Sequence, residues 1–159
     1  MAGGEKKKDD GIKLVTEHRR ARFDYAVEET LEAGLELLGS EVKSLRDGTA
    51  SLTDSYALPS KDGQLHLLNA HIGPYDSASV FGHDPRRARR LLMHKKEIEH
   101  WTVKVRERGY SIIPLKLYFK GGRAKVQLAL CKGKTHEDRR QDIKERETKR
   151  EMDRAIRRR

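Results

Sequence analysis

The sequence predicts a mainly β fold with a few helices and an unpacked basic tail, and three observations carry that prediction. About five runs read as strands, the longest with clean period-two alternation. A single stretch of helical spacing falls between the third and fourth of them. Beyond Gly133 the large aliphatic residues shrink to Ile143, Met152 and Ile156.

Taken in chain order, residues 1–16 mix Gly, Lys and Asp without periodicity, and a mobile N-terminus is expected there. In DYAVEETLEAGLEL, Tyr25, Val27, Leu31, Ala33, Leu35 and Leu37 share one parity, and Glu28, Thr30, Glu32 and Glu36 the other. That is a long, half-buried strand. Ser40 is a candidate cap for a short helix, SEVKSLR, which Gly48 ends. Strands over about 52–58 and 64–72 flank the turn Lys61-Asp62-Gly63. Asp84-Pro85 reads as a helix start. Leu91, Ile98 and Val105, with Trp101, then recur at helical spacing until Gly109, as one helix or two shorter ones. YSIIPLKLYF and AKVQLALC form the last strand pair across Lys120-Gly121-Gly122-Arg123. Strands of this number and length, with one intervening helix, suggest a closed barrel of the oligonucleotide-binding kind with flanking helices. The tail from 133 cannot offset its ordering entropy by burial, so it is expected to be disordered when free.

Composition narrows the function. The 159 residues carry a net charge of +10, with 38% charged and 35% hydrophobic residues. An excess of this size favours a polyanionic partner. The two candidates are nucleic acid and an anionic membrane. No apolar run is long enough to cross a bilayer, and of the two the expectation is nucleic acid and no membrane partner. The start, MAGGEKKKDDG, lacks the apolar core of a secretory signal. Cys131 is the only cysteine. An internal disulfide is impossible, and a reducing, cytoplasmic setting fits.

Catalytic and metal signatures are absent. The seven histidines have no zinc-like spacing, and His94 and His100, six apart, fall on different faces of a helix. Gly133-Lys134-Thr135 resembles the end of a phosphate loop, but Leu128 stands where the first glycine is required. Cys131 sits among apolar strand residues and reads as structural. No enzyme, metal or cofactor is expected. Basic clusters remain: HRRAR (18–22), DPRRARR (84–90), and Lys125, Lys132 and Lys134 on the last strand and its exit. Together with a basic tail they point to nucleic acid. Phe23 and Tyr25 could stack on a base or lie in the core. Glu32 faces outward, where its carboxylate can accept hydrogen bonds from a base edge or ribose hydroxyl.

Longer motifs then become legible: RRARFDYAVEETLEAGLEL, GSEVKSLRDGTASLTDSYA, HIGPYD, HDPRRARRLLMHKKEI, PLKLYFKGGRAKVQLALCKGK and DIKERETKRE. In order, and covering nearly everything from residue 17 onward, they resemble the SsrA-binding protein (SmpB) family. The resemblance implies an RNA-binding adaptor of trans-translation, working in the cytoplasm as a monomer bound to RNA. Such a protein binds the tRNA-like domain of transfer-messenger RNA and delivers it to stalled ribosomes. It lays its tail as a helix through the small-subunit decoding region and vacant mRNA channel. The implied organisation is a barrel with helices over 17–132 and a tail over 133–159. Arg19, Arg20, Arg22, Tyr25, Glu32, Leu92, His94, Lys125, Lys132 and Lys134 are then the implied contacts to the tRNA-like domain. His136, Arg139, Arg140, Lys144, Arg146, Lys149, Arg150, Arg154 and Arg157 are the implied ribosome contacts. Phe23 stands where some relatives carry His, and Glu137 where they carry His or Tyr, which leaves His136 as the adjacent ring. The alternative reading is a constitutive ribosome-associated RNA-binding protein.

Projected as a helix, the tail places Arg139, Arg146, Arg150 and Arg157 in a stripe about 40° wide. Asp142–Arg146, Glu145–Lys149 and Asp153–Arg157 stand at i,i+4 in the favourable order. Such pairs contribute only ~0.2–0.5 kcal/mol each, so the free helix should be marginal.

Overall fold

A computed structural model describes residues 11–75, 83–133 and 136–157, with only the backbone described for 136–139. Its strands are β1 (Ile12–Glu17), β2 (Tyr25–Leu35), β3 (Ala50–Ser51), β4 (Tyr56–Pro59), β5 (Leu65–Leu68), β6 (His71–Ile72), β7 (Arg89–Leu92), β8 (Ser111–Lys120) and β9 (Arg123–Gly133). The helices are α1 (Ala21–Asp24), α2 (Gly39–Arg46), α3 (Lys95–Arg108) and α4 (His136–Arg157). β8, β4, β5, β7, β2 and β9 pair in that order, and a β8–β9 pairing brings the order back on itself. β1 extends the sheet from the free side of β8, and β3 pairs with β6 separately.

The inward parity of these strands makes the core. Leu65, Leu67, Leu91, Leu128 and Leu130 are fully buried beneath Trp101 of α3. Each such aliphatic side chain stabilises the fold by about 1.5–3 kcal/mol relative to exposure. The pairing of β2 with β9 shifts once: Val27 pairs with Cys131 and Glu29 with Leu130, so Glu28 is the extra residue of a bulge, while the alternation of exposed and half-buried side chains runs on unbroken from Tyr25 to Leu31. Glu29 lies on the half-buried parity with Val27 and Leu31 and accepts a hydrogen bond from Trp101 Nε1 at 3.1 Å. His100 and Lys104 lie at 3.4 and 3.6 Å from the same carboxylate, so α3 is fastened to β2 by one acid. Gly121 and Gly122, both at positive φ, make the two-residue turn between β8 and β9.

Several expectations are corrected. Within the stretch read as lacking regular structure, Ile12–Glu17 form β1. Most of its side chains are exposed, so backbone pairing to β8 sustains it without any apolar alternation. Residues 1–10 lie outside the described residues. The helix expected from Asp84-Pro85 starts only at Lys95. Between them Arg89 and Leu91 point inward and Arg90 and Leu92 outward, as β7. The Ser40 cap is not formed: α2 begins at Gly39, and Glu41 accepts the Leu38 N–H at 2.9 Å. Ser40 Oγ is bonded instead to His83 Nδ1 at 2.9 Å. The runs 52–58 and 64–72 are shorter, as β4 and β5 around the expected turn, with β3 and β6 paired apart from them. The tail forms α4, built from strong helix formers and resting against α1.

Candidate nucleic-acid interface

Four predicted residues from distant parts of the chain meet at one groove. Gly34 of β2 pairs with Leu92 of β7 on one side and Lys125 of β9 on the other. Glu32, two residues earlier on β2, and His94, which precedes α3, complete the lining. Gly34 keeps this approach uncrowded, since a Cβ there would stand 3.1 Å from Leu92 Cβ. Leu92 and His94 are exposed. Glu32 accepts a hydrogen bond from Tyr118 Oη and lies 3.5 Å from Lys120 Nζ. The Tyr118 bond, with Lys120 and Lys125 nearby, outweighs burial and holds the Glu32 carboxyl below its ordinary value. Burial and the bond to Glu32 push the Tyr118 phenol up in turn. The groove therefore offers a fixed, ionised acceptor, an apolar side chain, an imidazole and flanking ammonium groups. That set can accept from a ribose hydroxyl or base edge while pairing phosphates.

A second group occupies the other end of β2. Arg19 and Arg20 precede α1, Arg22 belongs to it, and Tyr25 opens β2. Lys132 pairs across from Ala26 and sets its ammonium 4.7 Å from the Tyr110 ring centroid. Arg20 reaches Asp24 at 3.5 Å. Tyr25 and Glu32 are separated by roughly 23 Å of strand. The predicted contacts thus fall into two groups along β2 and β9 rather than one. Lys134 lies outside the described residues.

The DPRRARR cluster does not offer a free basic face. Arg89 is fully buried, with Nε 2.5 Å from Glu41 Oε2, Nη1 2.8 Å from Ala70 O and Nη2 3.1 Å from Pro85 O. Arg87 Nη2 holds the other Glu41 oxygen at 2.5 Å. Arg86 binds Asn69 Oδ1 at 2.6 Å, and Arg90 binds Glu36 at 2.7 Å. Sequence reasoning missed Glu41, although an acid at the third position of a short helix was a visible signal. Burial raises the Glu41 carboxyl, but bonds from Arg87, the Leu38 N–H and Arg89 hold it below its ordinary value.

Along α4, Arg140, Lys144, Arg146, Lys149, Arg150, Arg154 and Arg157 are exposed. The side chains of His136 and Arg139 lie outside the described residues. Arg146 and Arg20 lie 5.4 and 5.6 Å from the Phe23 ring centroid, so this ring joins α1 to α4. Arg22, Asp142, Glu145, Arg146 and Lys149 line the crevice beside it. The expected pairs Glu145–Lys149 and Asp153–Arg157 do not close to 4 Å; α4 rests on α1 instead. Cys131 is buried, and burial pushes its thiol up to about 12, so it is no nucleophile at neutral pH. Among the described residues no cluster of three or more His, Cys, Asp or Glu could hold a metal, and no helix is long and apolar enough to cross a membrane.

Fold and surface together define a class: a small, mainly β, strongly basic binding module with a helical arm. The family model described as SmpB protein matches residues 15–158. The SsrA-binding protein of Myxococcus xanthus (strain DK1622) is 67% identical over 163 residues, covering 100% of both chains. That of Pelotomaculum thermopropionicum is 57% identical over 148 residues, covering 93% of this chain and 96% of the relative. A solved structure described as "tmRNA-SmpB: a journey to the center of the bacterial ribosome" matches with a TM-score of 0.64 and 46% identity, over 80% of this chain and 93% of that one. The chain belongs to the SmpB protein family.

Proposed function

We propose that this protein is the RNA-binding adaptor of trans-translation. It binds the tRNA-like domain of transfer-messenger RNA, accompanies it to stalled ribosomes in the cytoplasm, and runs its tail along the vacant mRNA channel. It works as a monomer on its RNA, without catalysis, metal or cofactor, from a barrel of the oligonucleotide-binding kind. The relatives named for SsrA binding support this reading, as does the ribosomal structure of the similar chain. The observation that carries it is the convergence of Glu32, Leu92, His94 and Lys125 around Gly34. An acceptor among cations beside an exposed leucine suits a folded RNA surface better than a bare phosphate track.

The test separates groove from tail. Glu32→Ala and Lys125→Ala should each weaken binding to the isolated tRNA-like domain in a gel-shift titration, by about tenfold for Glu32. Reversing Arg139, Arg146, Arg150 and Arg157 to Glu should leave that affinity nearly intact and abolish peptide tagging in a reconstituted translation system. Unchanged affinity in both groove variants overturns the assignment of the groove, and surviving tagging overturns that of the tail.

A further inference from the structure

The ring of strands is thinnest between β4 and β8, where Ala57 opposite Ile112 is the one registered pair. A cavity of about 320 Å³ opens on this seam. Three tyrosines reach it from separate elements: Tyr25 from β2, Tyr56 from β4, and Tyr110 from the segment before β8. Tyr56 is the most accessible, at 40% exposure, whereas Tyr110 is buried with Lys132 and Lys104 against its ring. His18 also lines the cavity, and its Nδ1 is buried without a hydrogen-bond partner.

Two carboxylates complete the lining. Asp24 is engaged by Arg20. Asp54 is exposed, and among the described residues its carboxylate meets no donor. Its backbone is nonetheless fixed, at φ +61, with its carbonyl accepting the Asn69 Nδ2 bond at 3.0 Å. An unpaired acceptor is thus held two residues from an exposed aromatic face.

We propose that this cavity takes one unstacked guanine from a single-stranded segment of RNA, stacked on Tyr56 and read by Asp54. This rests on the reading of the chain as an RNA binder. A carboxylate is acceptor-only, with two oxygens side by side. Guanine alone among the four bases presents two adjacent donors, N1–H and the 2-amino group, on its pairing edge. Adenine and cytosine place a ring acceptor beside their amino group, and uracil puts carbonyls on both sides of its single N–H. Stacking on tyrosine is sequence-tolerant and supplies affinity, while the paired carboxylate bonds supply choice. Lys132, against the Tyr110 ring, and Arg20, beside Asp24, adjoin lining residues and suit the flanking phosphates. An arginine side chain from a protein offers a similar pair of donors and a stacking plane. The chain's net charge of +10 disfavours a basic partner and favours the polyanion.

The full-length ¹⁵N-labelled chain should be titrated with UUGUU and UUAUU, following the amides of Asp54, Ser55, Tyr56 and Ile112. We expect these amides to move with UUGUU at roughly five-fold or more lower concentration than with UUAUU. Asp54→Asn keeps side-chain size and tolerates the left-handed backbone, so its Tm should hold while the preference falls toward one. Tyr56→Leu should weaken both oligomers by roughly five-fold or more. Equal titration by the two oligomers overturns the proposal, as does a preference surviving Asp54→Asn. Response to N-acetylarginine amide with none to UUGUU overturns it in favour of a protein ligand. A gel shift with the tRNA-like domain on the same sample distinguishes the two readings. If that binding holds while the seam stays silent, the guanine site falls and the adaptor function stands.

Discussion

Glu41 shows how one acid can convert a basic cluster into a structural joint. It receives Arg87, Arg89 and the Leu38 N–H, and so ties α2 to β7. Removing one partner of a buried ion pair leaves the other charge uncompensated, which costs about 3–5 kcal/mol. Glu41→Gln should therefore lower the urea midpoint by that loss of stability at pH 7, read by tryptophan fluorescence from Trp101. The pH dependence follows from the same contacts. The carboxyl is held lower in the folded chain than its ordinary 4.5. Its contribution is thus complete above about 4.5 and is lost as the pH falls through the lower folded value. The Glu41→Gln stability curve should be flatter than the native one in that acid window. At the groove, Gly34→Ala would crowd Leu92, because the added Cβ falls 3.1 Å from Leu92 Cβ. Overpacking of this kind costs about 1–3 kcal/mol. The variant should bind the tRNA-like domain more weakly, with altered Leu92 methyl shifts in a ¹³C spectrum.

Elements show which signals sequence carries and which it hides. β2 was legible through its long apolar parity, and β8 and β9 through their apolar runs on either side of a local glycine turn. β7 was not, since its inward residues are Arg89 and Leu91; a buried arginine breaks the apolar alternation, and Leu91 then fell into helical register with Ile98 and Val105. β1 was hidden because a mostly exposed edge strand has no parity to read. The groove was legible only through family resemblance: Glu32, Leu92, His94 and Lys125 are joined by strand register, which spacing in sequence does not report. The docking of α4 was not legible: Phe23 read as either a core or a base-stacking residue, and its ring instead meets Arg146 of α4. Arg146 and Arg20 on its ring are worth about 0.5–1 kcal/mol each at an exposed site. Such an attachment is easily exchanged for RNA. Phe23→Ala should therefore release α4 without changing the folded body: the Tm should shift little, while amide exchange around Arg146 accelerates several-fold by NMR.

At the scale of the whole molecule, charge and shape divide the work. Residues 134–159 hold eleven basic and seven acidic side chains, so the tail supplies only +4 of the net +10. The remaining excess belongs to the folded body, with the groove cations Lys120 and Lys125 at one end of β2 and the Arg19–Arg22 and Lys132 group at the other. A body that carries most of the net charge should dominate the long-range attraction to RNA, with the arm reserved for a separate surface. Each phosphate neutralised by the protein adds about 0.7–0.9 to the slope of log K against log salt. Lys125→Ala should reduce that slope for the tRNA-like domain by about 1. Neutralising Arg146, Arg150, Arg154 and Arg157 together to Gln should change it by less than that, although four charges are removed rather than one. Filter binding across 50–300 mM salt reads both slopes directly. A larger loss from the tail variant than from Lys125→Ala would mean that the arm, not the groove, grips the RNA, and would reverse the division of labour between the two ends of the protein.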